Sequence, residues 1–497
     1  MIGIVQFALT ATLQLFSVPI FINKLGMELY GIFSIVSVIG NLNLLINFGL
    51  NGALIVHLAQ QGKCKESDHD IIVTQVIMLA LITLFTTITI LFSDFIIMNI
   101  FSIPNQYLNE SKNLLRLLVC SNSLLLLGQT FTAIIDSKQE THITNICQFV
   151  YSLIYWGGMI SVVTLEGNLK NVGMIALISA FIWLILIMIF AYRLWGNLEI
   201  NGVLKNFKAT AKKQLSYGSK IFISGLIGFM FEPLSKILLS NFIGLNAVAL
   251  FEIGTKIRGQ IVGIITKALY PIYPYIANTK KNKILKKRIF ELSKNLQLIT
   301  IALSIIITYT MPIILKLWLN QTNMQDTTIF VTIMTITQLL LLPPVLLIYQ
   351  YLTATGMADK NILIQMSGVI VNTIFFFVLL DRFGMYTILT ANILAYFSSY
   401  LICNYYQYKY LDAKLSKEWI YYLKLIIFGV ACTSICALIR HYYPVSLWDL
   451  LIYPTVVTIL FLFISRTLKL INKQEIELYF GSIPLLKNNL TALLIAR

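Results

Sequence analysis

Two acid–lysine pairs stand in otherwise apolar surroundings: Glu232 with Lys236 and Glu252 with Lys256, each at a spacing of four residues. A charge at bilayer depth is costly unless it pairs, faces water or meets a charged ligand, so each such residue is a functional candidate. At about 100° per residue, Glu252, Lys256, Gly259, Gln260, Gly263 and Lys267 fall on one stripe of a helix, and Gly225, Gly228, Glu232 and Lys236 on another. Arg116 lines up with Ser123 and Thr130, whereas Arg258 points away from its stripe, as a helix–helix contact would. Pro233, directly after Glu232, is expected to bend its helix. Two readings stand side by side. In one, Lys236, Lys256, Arg116 and Lys267 line a cationic path, and Glu232 and Glu252 are the acids an ion-coupled cycle would use. In the other, each acid–lysine pair neutralises itself as a structural ion pair, and Arg116 and Lys267 snorkel to the membrane interface.

The elements that position these charges are membrane helices. Of the residues, 58% are hydrophobic and 12% charged, with a mean hydropathy of +0.80, which excludes a soluble domain of this length. Apolar runs of bilayer length predict an all-α integral membrane protein with about 14 spans. They lie near 2–22, 31–58, 71–92, 113–135, 143–164, 172–194, 216–241, 247–276, 296–318, 328–354, 362–380, 386–407, 419–439 and 449–466. With the N-terminus cytoplasmic, Lys and Arg in the loops and tail divide about 24 inside against 6 outside, which places both termini in the cytoplasm. The net charge of +16 is thus a topology signal spread over short loops, and no nucleic-acid partner is expected. The segment Asn197 to Leu215 reads as a basic amphipathic connector. The first span lacks a basic leader and a small-residue cleavage site, and reads as a membrane helix rather than a cleavable signal.

Other chemistries find little support. The six cysteines and four histidines are dispersed without metal-ligand spacing, so neither a metal nor another cofactor is expected. No GxxxxGK[ST] loop is present, which excludes an ATP-driven pump within one chain. Asp68-His69-Asp70 has the form of a metal–sugar-nucleotide triplet, but it sits in a short polar loop and reads as solvated.

The chain repeats itself. "LGMELYGIFSIV" from Leu25 aligns without a gap on "IGLNAVALFEI" from Ile243, so that Gly26 meets Gly244 and Phe33 meets Phe251, while Ser34 meets Glu252 and Val38 meets Lys256. "VGMIALISA" from Val172 and "FGMYTILTA" from Phe383 echo each other at a similar offset. Each half holds six spans in the same order and orientation, a parallel repeat of the kind transporters use. This predicts bundles over 1–208 and 209–410, with two extra helices and a cytoplasmic tail over 411–497. Charge sits in the second copy only; the matching face of the first offers Ser34, Ser37 and Asn41.

The span ending "SVPIFINKLGMELYGIFSIV", the second half opening "LLSNFIGLNAVALFEI" and the count of twelve spans plus two resemble the Wzx-type polysaccharide flippases of the multidrug/oligosaccharidyl-lipid/polysaccharide (MOP) exporter superfamily. The resemblance implies a V-shaped pair of bundles in a bacterial inner membrane, and no enzymatic activity. It also implies transfer of an undecaprenyl-pyrophosphate-linked oligosaccharide, an O-antigen repeat unit, to the periplasmic leaflet by alternating access. Its partners would be that glycan, membrane lipids, and the polymerase and chain-length regulator of the same pathway. Capsule, exopolysaccharide and teichoic-acid precursors are alternative cargoes. A cation-coupled drug exporter would want carboxylates in the first bundle, where spans 1 to 6 hold no mid-span acid except Asp136 at a cytoplasmic end. An O-antigen polymerase would want a large periplasmic loop carrying Arg and His, for which the outer loops are too short.

Overall fold

Gly26 and Gly244, paired by the repeat, occupy the same structural position. Each has a positive φ, +85° and +123°, and each is the turn between two antiparallel helices. In the computed structural model, residues 2–46, 50–138, 140–165, 168–269, 276, 283–319, 325–354, 357, 359–411 and scattered positions between 426 and 455 are described, and every regular element among them is helical. The main helices are α1 (Ile2–Leu25), α2 (Met27–Ile46), α3 (Leu50–Gln61), α4 (Lys65–Leu91), α5 (Leu108–Ser137), α6 (Thr141–Leu165) and α7 (Leu169–Trp195). They continue with α8 (Val203–Phe242), α9 (Leu245–Leu269), α10 (Lys283–Leu319), α11 (Gln325–Ala354), α12 (Asp359–Phe383) and α13 (Thr387–Leu411). Seven described helical segments are long and apolar enough to cross a membrane, among them Lys65–Leu91, Leu169–Trp195, Gln325–Thr353 and Asp359–Leu411, the last of which contains two of the expected spans. The expected spans near 419–439 and 449–466, and with them most of the 411–497 section, lie outside the described residues.

The chain forms two compact units. One comprises Met1–Lys256 with Phe383–Ile388, the other the described residues of Ile257–Arg382 and Leu389–Arg497. In the first unit α5 packs along α7, and their buried face holds Ala133, Ile134, Trp183, Ile187 and Trp195 with Leu54 and Leu58 of α3. The face of α7 away from this core, with Ile178, Phe181, Ile185 and Ile189 exposed, is apolar and suits lipid. In the second unit α10 packs along α11, with Leu298, Ile301 and Leu340 at their contact. Buried amides tie its other helices: Asn361 Nδ2 donates to Thr353 Oγ1 at 2.9 Å, and Asn372 Nδ2 to Asn392 Oδ1.

Two loops depart from the sequence expectation. The connector expected over 197–215 is helical from Val203, so α8 runs 40 residues, about 60 Å, without interruption at Pro233. The loop expected between the spans near 247–276 and 296–318 is likewise helical from Lys283 on, in α10; residues 277–282 lie outside the described ones. Good helix formers carry these segments on past the apolar span, because nothing in them breaks a helix.

The Asp68-His69-Asp70 triplet is not solvated. All three residues are buried in the first two turns of α4. Asp68 accepts from the Trp195 indole at 2.7 Å on one carboxylate oxygen and from the Glu199 amide at 2.9 Å on the other. His69 Nε2 lies 3.1 Å from the Asn201 carbonyl, an acceptor, so that nitrogen carries the proton. Lys63 donates to the Trp195 carbonyl, Lys65 pairs with Glu199 at 2.7 Å, and Lys138 lies over the Trp195 ring at 4.8 Å. The α7–α8 link, bracketed by the positive-φ residues Gly196 and Gly202, is therefore clamped onto the start of α4. At the other end of α8, Ser240 donates to the Phe101 carbonyl and Asn241 to the Ile100 carbonyl at 2.6 Å. This second tie holds a segment that passes through a π-turn at Ile96–Ile100 and buries Ile97, Phe101 and Ile103.

Candidate functional site

Lys236 stands six residues before the end of α8 and Glu252 seven after the start of α9, so the glycine turn sets them side by side about 10 Å below it. Lys236 Nζ lies 2.6 Å from Glu252 Oε2, and Lys256 Nζ 3.1 Å from Glu252 Oε1. One carboxylate thus bridges two ammoniums that come from two helices. Thr255 Oγ1 donates to the Glu252 carbonyl at 2.8 Å and approaches its Oε2 at 3.4 Å. The side chains of Lys236 and Glu252 are 8% and 10% exposed, and that of Lys256 is 23%, so Lys256 is the open edge of the group. Two cations around one anion leave a net charge of +1 in a largely desolvated place, where Coulombic attraction is strong. Tyr30 of α2 is buried within electrostatic reach of Glu252.

The hairpins of the repeat touch just here. A Cβ on Gly31 would lie 2.4 Å from the Leu245 carbonyl oxygen, so only glycine admits this approach of α2 to the start of α9. Ser34, the repeat counterpart of Glu252, is buried, and its hydroxyl has no hydrogen-bond partner among the described residues.

The expected residues sort as follows. The Glu252–Lys256 pair forms as the spacing predicts. Lys236, expected to pair with Glu232 on its own helix, reaches Glu252 instead, because a buried carboxylate on the facing helix competes with an exposed one; Glu232 lies on the exposed surface of α8. Arg258 is the helix–helix contact expected of it: its Nη1 donates to Tyr396 Oη of α13 at 2.8 Å. Arg116 is exposed on α5. The side chain of Lys267 lies outside the described ones. Among the described residues no group of three His, Cys, Asp or Glu is placed to hold a metal ion. The second unit contains a cavity of about 510 Å³ lined by Leu341, Phe397, Val430 and threonines such as Thr308 and Thr332, apolar walls that offer an anion no cation. The pairing across the hairpin is the part sequence reasoning missed; its signal was the near-equal distance of Lys236 and Glu252 from the turn.

Comparison with known proteins fits this architecture. No curated protein matches the chain. Among solved structures it is similar to the lipid II flippase MurJ in an inward closed conformation, at 14% identity over 97% of this chain and 99% of that one, with a TM-score of 0.73. It is similar to an inward-facing MATE family multidrug resistance transporter of the MOP superfamily, at 15% identity over 84% and 99%, TM-score 0.62. A MATE transporter of Vibrio cholerae follows at 14% over 83% and 94%, TM-score 0.58. At such identities the likeness is one of fold, and the fold is that of the MOP transporters. Residues 2–280, more than half of the chain, match the model of a family described as polysaccharide biosynthesis protein. This multi-pass helical membrane protein therefore belongs to the polysaccharide biosynthesis protein family.

Proposed function

We propose that the chain is a flippase that carries an undecaprenyl-pyrophosphate-linked oligosaccharide of the O-antigen class across the bacterial inner membrane, with both termini cytoplasmic. The observation that carries this reading is the desolvated Lys236–Glu252–Lys256 group, whose excess positive charge suits a pyrophosphate headgroup that hydrocarbon would reject. Membership of a polysaccharide biosynthesis family and the likeness to a lipid II flippase support a lipid-linked cargo. The two repeats supply bundles that alternate access without ATP. Glu232, on the exposed surface of α8, and Glu252 are the acids that ion coupling would use. Arg116 and Lys267 extend the cationic path, and the pathway's polymerase and chain-length regulator receive the product. Capsule, exopolysaccharide and teichoic-acid precursors share the headgroup chemistry and are separated from O-antigen by which flippase-null strain the gene rescues.

The test is complementation of such a strain, scored by surface glycan with membrane abundance measured alongside. Lys236→Ala and Lys256→Ala should each lower surface glycan at least about tenfold at normal abundance, the loss of one charge-assisted contact, and Arg at either position should restore part of it. Wild-type export by both alanine variants would refute the cationic path.

A further inference from the structure

Both oxygens of Glu252 are occupied, each by a different lysine, one from the same helix and one from its neighbour. A lone structural pair needs one cation; here a single anion draws two cations to a common point. That is the arrangement an anionic headgroup would itself impose on Lys236 and Lys256. We infer that Glu252 is a resident counter-ion, which holds the two lysines in the empty site and is displaced from them when a phosphate- or pyrophosphate-bearing cargo arrives. The inference rests on the cationic-site reading above and adds the regulation of that site.

Three features shape the exchange. Lys256 is the more exposed lysine, so an incoming anion meets it first, and Lys236 is released second. The group carries one more cation than anion, so it attracts a further negative charge even while Glu252 is in place. Two desolvated lysines without an internal anion would hold a multiply charged headgroup too firmly to let it go, and a carrier needs a site that is favourable to enter and still easy to leave. An internal carboxylate lowers affinity in that way. It also favours cargo that carries more negative charge than the single one it replaces, hence diphosphates over monoanions.

The experiment uses the full-length protein in nanodiscs, titrated separately with inorganic pyrophosphate and with an isoprenyl pyrophosphate, and compares wild type with Glu252→Gln, Glu252→Asp, Lys236→Gln and Lys256→Gln. Glu252→Gln should bind at least about tenfold more tightly than wild type while exporting less glycan in cells, a gain of affinity with a loss of turnover. A purely structural ion pair gives the opposite: loss of thermal stability with no gain in affinity. Unchanged or weaker binding by folded Glu252→Gln overturns the inference. If that variant does not accumulate, Glu252→Asp, which draws the carboxylate back by one methylene, decides: a gain of about threefold supports displacement, and no gain overturns it. A gain with the isoprenyl compound alone assigns the cargo to a lipid headgroup, and a gain with both assigns it to the pyrophosphate group itself. The lysine variants report on the underlying reading separately. If they bind as well as wild type, the cationic site is wrong; if they bind weakly and Glu252→Gln gains nothing, only the counter-ion role is wrong.

Discussion

Asp68→Ala should release the α7–α8 link. Asp68 is 4% exposed and accepts two hydrogen bonds, from the Trp195 indole and from the Glu199 amide, so its loss leaves two donors without their acceptor. Hydrogen bonds to a buried charge contribute about 1.5–3 kcal/mol each, and since both end on one carboxylate we take about 3 kcal/mol for the two together. At about 1.4 kcal/mol per factor of ten, the open population of the link should rise about a hundredfold. Hydrogen–deuterium exchange reads this directly, because the Glu199 amide is itself one of the donors. In the peptide covering residues 196–202, exchange at Glu199 should accelerate about a hundredfold, while amides inside α5 stay unchanged. The exposed Lys65–Glu199 pair is the internal control, and Lys65→Ala should accelerate exchange by no more than about fivefold. An Asp68→Ala protein with less than about threefold acceleration would show that the link is held by something other than this carboxylate.

Gly31→Ala should lower the thermal midpoint and cost about 1–3 kcal/mol, because the new methyl meets the Leu245 backbone, which cannot swing aside as a side chain would; a midpoint equal to wild type would contradict the packing of the two hairpins. Tyr396→Phe should destabilise by about 2 kcal/mol by removing an acceptor from the buried Arg258, and adding Arg258→Met should cost less than the sum of the single changes; strict additivity in thermal unfolding would mean that the two do not interact. An impermeant maleimide applied to whole cells should label a cysteine placed at Asn105 and spare one at Lys208, and the reverse pattern would invert the topology.

The helices were readable because their signal is redundant: a membrane span needs a long apolar run, and between its ends the run Leu169–Trp195 is apolar but for Ser179. The glycine turns were readable because the repeat states them twice, at Gly26 and Gly244. The Glu252–Lys256 pair was readable from helical spacing, and Arg258 from its angle to the polar stripe. What spacing along one helix cannot give is the partner across a turn, so Lys236 was matched with Glu232 on its own helix when the carboxylate it meets belongs to α9. Asp68 failed for a related reason. Its short polar stretch looks like any solvated loop until Trp195 and Glu199, far along the chain, arrive as donors. The start of α8 was hidden by charge, since lysines that mark a loop boundary by the topology rule are also good helix formers.

The length of α8 makes it a lever. It is tied at one end, where the link clamped by Asp68 meets Gly202, and at the other, where Ser240 and Asn241 grip the carbonyls of residues 100 and 101. With a shaft of about 60 Å pivoting at the clamp, a tilt of only about 5° carries the far end about 5 Å, well beyond the reach of any hydrogen bond. Any such tilt would therefore cost the bonds that hold Ser240 and Asn241 to residues 100 and 101, together with the packing of α8 on α2, α3 and α4. Lys236, a little more than one turn before Ser240 and Asn241, would move with the end that they hold.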